Sequence, residues 1–181
     1  MSPLSKIIGL LQIDSTVGDL AGNAERLESL TAIAQANGAQ VAIATELAVC
    51  GYPPRDLLLQ PDFITTSFET AKNLAVEIPV LVGTPIPPDH ERNLPANGVV
   101  RAGVLQAVPN KDNTNRVVAK KQLLPSYDVF DETRYFTPAN RSGICRSIGE
   151  IDLGITICED AWQAAGLTPS AYGQDPVASL A

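Results

Sequence analysis

The chain has 181 residues, 45% of them hydrophobic and 18% charged, enough apolar material for one domain with a core and too little for a second. A formal net charge of −7, with no basic stripe interleaved with aromatics, excludes the footprint of a nucleic-acid binder and points to small molecules or proteins as partners. No apolar run reaches bilayer-spanning length, the opening MSPLSKIIGLLQIDS lacks the look of a cleavage site, and Cys50, Cys145 and Cys158 are too scattered for a disulfide framework or a CxxC metal site. A reducing, cytoplasmic setting without membrane association is expected.

KIIGLLQI (6–13) is a continuous apolar run, which predicts a central strand covered on both faces. Leu20, Ala24, Leu27, Leu30, Ile33 and Ala34 then recur at three- and four-residue spacing, the pattern of an amphipathic helix over about 20–36, with Asn37-Gly38 as its stop. VAIATEL (41–47) is strand-like again, so the opening reads β-α-β with parallel strands. The prolines and glycine of GYPPRDLLLQPDF break that strand into a loop. A second helix is predicted from Pro61 to about Val76, followed by the strand PVLVGTPI (79–86). Residues 97–107 and 117–123 read as a hairpin joined by PNKDNTNR (109–116), and RSIGEIDLGITI (146–157) as two short strands around Gly149-Glu150. The fold class is α/β, with antiparallel pairing in the second half.

The stretch GITICEDAW (154–162) sets Cys158 after an apolar run and before two acids. A free cysteine usually behaves as a small buried hydrophobe, so a nucleophile needs further support. The one histidine, His90 in PPDHER, reads as a solvated loop residue, and a cysteine–histidine pair is unpromising. Glu46 is a better base, because α/β sheets place ligand crevices at the C-terminal ends of their strands and a buried acid there needs compensation. A helix cap or surface acid is the alternative. Alternation puts Lys120 and Lys121 on opposite faces, so one of them can point inward, where it would need a carboxylate; the other reading makes both edge-strand charges. Tyr127, Phe130, Tyr135 and Phe136 read as core or loop anchors, and residue pattern alone leaves a shortlist rather than a site.

Three blocks, TELAVCGYPPRDLL (45–58), KQLLPSYDVFDETRYF (121–136) and ICEDAW (157–162), together with the opening QIDSTVGDLAGNAERL (12–27), resemble the nitrilase-like carbon–nitrogen hydrolases. Within them, GYPPxDLL and LPxYxVFDExRYF resemble the glutaminase domain of glutamine-dependent NAD synthetases. The resemblance implies a nitrilase-like α-β-β-α sandwich and a catalytic triad of Glu46, Lys121 and Cys158. Lys121 is chosen over Lys120 because the family lysine precedes Q-x-L-P. It also implies that Tyr127 helps hold glutamine and that Glu132 is a supporting acid near the lysine. Cys158 would attack the glutamine amide as a thiolate, with Glu46 moving the proton and Lys121 and the backbone N–H of Glu159 stabilising the oxyanion.

Cys50 and Cys145 are expected to be structural. Glu159 and Asp160 would raise the nucleophile's pKa if they faced it, so their side chains are expected to turn toward backbone or basic groups. By the same resemblance the glutaminase part needs no metal or cofactor. ATP and Mg belong to a synthetase domain missing from these 181 residues, which would be a hydrolase domain incomplete at its C-terminus, with an uncovered sheet edge, and homo-oligomeric at full length. The alternatives are a stand-alone amidase acting on another small amide and an inactive fragment or interaction module.

Overall fold

The computed structural model describes residues 6–88, 93–103, 117–140, 146–148, 151–163, 166 and 172–180. His90, Cys145, the 104–116 connection and the Gly149-Glu150 turn lie outside the described residues.

The opening β-α-β unit consists of β1 (Ile8–Leu11), α1 (Leu20–Ala36) and β2 (Val41–Ala44), with β1 and β2 parallel and Ile8 opposite Val41. Asp19 starts α1 by accepting the Gly22 N–H at 3.0 Å. Gly38 ends it at φ +87, a conformation that costs glycine little. Leu27 is fully buried, and Leu20, Ala24, Leu30 and Ala34 pack beside it on the sheet. Ile33, expected on the same stripe, is 59% exposed; six residues beyond Leu27 it has turned about 120° away around the helix.

Next come α2 (Pro61–Lys72), opened by its proline, and β3 (Val80–Ile86), which runs parallel to β2 and is buried throughout. The helix stops short of the expected Val76, yet Leu74 and Val76 still pack into the core. β4 (Ala96–Ala102) and β5 (Val117–Lys120) add antiparallel pairs, giving a five-stranded sheet in the order β1-β2-β3-β4-β5. The helices cover one face of it. Leu27, Val80, Val82 and Val100 are fully buried there, and each such side chain contributes about 1.5–3 kcal/mol by leaving water.

The other face carries a two-stranded antiparallel ribbon, β6 (Arg146–Ile148) and β7 (Ile151–Leu153), as the sequence suggests. Leu153 and Ile155 pack there against Val41, Ile43, Leu81, Val99 and Val118. The described residues thus form helix, sheet and ribbon layers; an outer helical layer on the ribbon side is not among them.

The place expected for β1 is also corrected. β1 is the edge strand of the described sheet rather than a central one. Leu11 is buried beneath the helices, whereas Leu10, on the face shared with Ile43, is 76% exposed. An apolar run reports that a strand can be covered on both faces, not that it is.

Candidate active site

Three chain segments converge at the end of the sheet. Glu46 stands two residues past β2, in a turn whose next residue, Leu47, has φ +50. Gly83 of β3 makes room for that turn: a Cβ there would lie 2.6 Å from the Thr45 carbonyl oxygen and 2.8 Å from Glu46 Cα. Lys121 directly follows β5, and its N–H extends the ladder by donating to the Asn97 carbonyl at 2.8 Å. Cys158 opens a tight helical turn (Cys158–Ala161) with φ +46, a left-handed conformation that costs a non-glycine residue about 1–3 kcal/mol and recurs at functional sites.

Asp160 ties the second and third segments together. Its Oδ1 accepts the N–H groups of Gln122 at 3.0 Å and Leu123 at 2.8 Å, while its Oδ2 accepts that of Ile157 at 3.3 Å. The acid two residues past the cysteine therefore fixes the cysteine turn to the chain just after the lysine, and it binds backbone as expected. Burial lifts its pKa despite these three donors.

Lys121 is fully buried and bridges two carboxylates. Its Nζ lies 2.8 Å from Glu46 Oε1 and 2.8 Å from Glu132 Oε2. The edge-charge reading of Lys121 is thereby overturned. Burial pulls the ammonium's pKa down, but Glu46 and Glu132 outweigh it and the net shift is upward. Glu132 is shifted up by burial, with Lys121 opposing. Tyr52 donates to Glu132 Oε1 at 3.1 Å, and burial followed by the Glu132 charge takes its phenol well above the ordinary range.

Cys158 is exposed as a residue, yet partial burial of its thiol raises the pKa to about 11, with the Glu46 charge adding to the rise and Lys121 reducing it. As a charge and as a hydrogen-bond acceptor, Glu46 favours the protonated thiol. Near neutral pH the group therefore rests as a thiol beside a carboxylate able to accept its proton. Cys50 contrasts with it: fully buried, it is pushed up to about 12 by burial and donates to the Leu47 and Gly51 carbonyls, which is the inert structural thiol expected.

Glu159 departs from expectation. It is buried, and among the described residues its side chain meets neither backbone nor a basic group; it accepts from Tyr127 at 2.8 Å and Tyr172 at 3.1 Å. Phenol hydroxyls satisfy a buried carboxylate without a cation. Tyr127, half-buried, is raised to about 12, chiefly by desolvation and then by that bond. Phe130 packs edge-on against Tyr127 at 5.7 Å between centroids and lies 6.4 Å from Tyr52, and Phe136 is core. Beside the cysteine, a cleft of about 220 Å³ is lined by Glu46, Cys158, Ile43, Leu81, Val99 and Ile155 among others.

Two contributors escaped sequence reasoning. Tyr52 is visible only as part of the GYPP block. Asn97, whose Nδ2 donates to Glu46 Oε1 at 2.7 Å, sits in the unremarked stretch PANGVV, and no local signal marks it. Among the described residues no group of three His, Cys, Asp or Glu side chains could hold a metal ion, and no helix is long and apolar enough to cross a membrane.

The family model described as carbon-nitrogen hydrolase matches residues 7–172. The chain belongs to the carbon–nitrogen hydrolases. Among its curated relatives, the glutamine-dependent NAD(+) synthetase of Synechocystis sp. is 39% identical over 159 residues, which are 86% of this chain and 28% of that protein. The Thermotoga maritima protein of the same name is 32% identical over 163 residues, 86% of this chain and 26% of that one. This carbon–nitrogen hydrolase thus spans little more than a quarter of the relatives it matches.

Among solved structures, the glutamine-dependent NAD+ synthetase of Acinetobacter baumannii superposes with TM-score 0.69 at 25% identity, covering 87% of this chain and 28% of that one. A nitrilase-superfamily amidase from Nesterenkonia shares the fold at TM-score 0.66 and 21% identity, with 85% of this chain and 56% of that chain covered. The α/β architecture of this hydrolase is therefore nitrilase-like.

Proposed function

We propose that this chain is a glutaminase unit that hydrolyses the side-chain amide of glutamine through a thioester on Cys158, releasing ammonia for a synthetase domain that amidates deamido-NAD. The observation carrying this reading is the convergence of Glu46, Lys121 and Cys158, in which a thiol and a carboxylate line one cleft and a buried ammonium pairs with that carboxylate. The curated relatives, named for glutamine dependence and NAD(+) synthesis, supply the substrate and the partner domain.

In the proposed sequence Glu46 accepts the thiol proton as Sγ attacks the amide carbon. The carbonyl oxygen becomes an oxyanion facing the Lys121 ammonium and the Glu159 backbone N–H. Glu46 returns the proton to the leaving nitrogen, the C–N bond breaks and ammonia departs, leaving a γ-glutamyl thioester. Water, giving its proton to Glu46, attacks the thioester; the C–S bond breaks, glutamate leaves and the thiol is restored. Glu132 keeps Lys121 cationic and in place, and Tyr127 contacts the bound amino acid. None of these steps calls on a cofactor. ATP and Mg are assigned to the synthetase domain, and a cytoplasmic, homo-oligomeric full-length enzyme follows from the same reading.

The test is ammonia release from glutamine, compared with release from acetamide and propionamide. Glutamine turnover that disappears in Cys158→Ala supports the proposal. Turnover surviving that change removes the nucleophile, and preference for simple amides replaces the glutaminase by a stand-alone amidase.

A further inference from the structure

We infer that Asn97 is a positioning residue for the chemistry proposed above, on which this inference rests: it and Lys121 hold one oxygen of Glu46, so that the other is left for the Cys158 proton.

Asn97 Nδ2 lies 2.7 Å from Glu46 Oε1, and the same oxygen receives Lys121 Nζ at 2.8 Å. Two donors converging on Oε1 occupy that atom and fix the plane of the carboxylate. Lys121 alone could not do this reliably, since its ammonium also serves both oxygens of Glu132. Asn97 further contributes its backbone carbonyl, which takes the Lys121 N–H at 2.8 Å. One residue of β4 therefore sets both where the lysine leaves its strand and how the glutamate is turned.

The remainder of the side chain argues the same way. Asn97 is 1% exposed, and its Oδ1 has no hydrogen-bond partner among the described residues. Buried polar atoms are nearly always satisfied, so one left unpaired calls for a reason. Flipping the amide would aim Oδ1 at the Glu46 carboxylate, acceptor against acceptor, and leave the glutamate one donor short. An apolar residue on this buried strand would avoid the orphaned oxygen altogether. An asparagine kept with half its amide unused is one whose donor is needed.

The experiment uses Asn97→Leu, close in shape but without a donor, and Asn97→Ser, too short to reach Glu46, each compared with the unmodified chain. Loss of one hydrogen bond to a charged group predicts that kcat for glutamine falls about 10- to 100-fold while KM changes by less than about twofold. A residue needed only for folding would instead lower the active fraction with kcat per titrated thiol unchanged, and that result overturns the inference. Alkylation of Cys158 by iodoacetamide provides a readout that needs no substrate. Removing the donor leaves more of the Glu46 charge acting on the thiol, so the rate at pH 8 drops about threefold or more. If the unmodified chain turns over no glutamine, the glutaminase reading fails, and the alkylation comparison still decides the role of Asn97. Unchanged alkylation in a chain that does hydrolyse glutamine overturns Asn97 alone. Should both variants fail to fold, the Asn97 side-chain amide resonances are followed by NMR in Glu46→Gln: a shift of their ¹⁵N–¹H signals supports the contact, and none overturns it.

Discussion

Replacing Lys121 by methionine removes the ammonium while keeping much of the side chain's bulk, and it leaves two inward carboxylates facing each other. Glu46 and Glu132 are 18% and 6% exposed as side chains, and Lys121 is fully buried between them. Breaking such a buried pair from one side costs about 3–5 kcal/mol, because the surviving charge stays out of water without compensation. At about 2–4 °C per kcal/mol for a domain of this size, that is a fall in Tm of roughly 6 to 20 °C. The sign with pH follows from Glu132, already shifted upward by burial against the opposition of Lys121. Without the lysine it rises further. A carboxyl whose folded pKa exceeds its unfolded value contributes fully below the unfolded pKa, and that contribution is lost as pH rises through the folded one. Lys121→Met should therefore be closest to the unmodified chain near pH 5 and fall furthest behind near pH 8, as read by circular dichroism melts across that range. An equal loss at both pH values, or none, would refute the account of the lysine as the counter-ion of two buried acids.

Glu46→Gln should move two measurements in opposite directions: glutamine turnover falls about 10²- to 10⁴-fold with the base gone, while iodoacetamide alkylation of Cys158 at pH 8 accelerates, because the charge that adds to the effect of burial in raising the thiol's pKa has been removed. A joint fall in both rates would reduce Glu46 to a structural acid. Gly83→Ala places a methyl 2.8 Å from Glu46 Cα, an overpacking that costs about 1–3 kcal/mol and displaces the turn; urea unfolding and kcat should both drop, and an unchanged kcat would show that the turn is not held by β3.

The order of elements was legible because each has a periodic signal: α1, α2 and the parallel pair β1 and β2 follow from spacing and length alone. Glu46, Lys121 and Cys158 were legible as a set only through the three blocks that carry them, since residue pattern left a cap, an edge charge and a core thiol as live readings. What the pattern lacks is information about neighbours. The apolar run of β1 says nothing about what covers Leu10, and PANGVV says nothing about Asn97, whose role depends on a glutamate 51 positions earlier. Glu159 was misjudged for the same reason. Its partners Tyr127 and Tyr172 lie 32 and 13 positions away, and a phenol is as good a donor as the basic groups that charge reasoning favours.

The acids around Cys158 divide the work by what they are allowed to touch. Asp160 has both oxygens committed to backbone N–H groups and Glu159 both to phenols, while the carboxylates that add to the effect of burial in raising the cysteine's pKa are Glu46 and Glu132. Those two are the pair that Lys121 bridges. Of that pair, Glu132 is held through both oxygens by the lysine, and Glu46 through one. The least committed carboxylate is thus the one that lines the cleft with the thiol, which is the arrangement a base needs if it is to accept a proton and give it back.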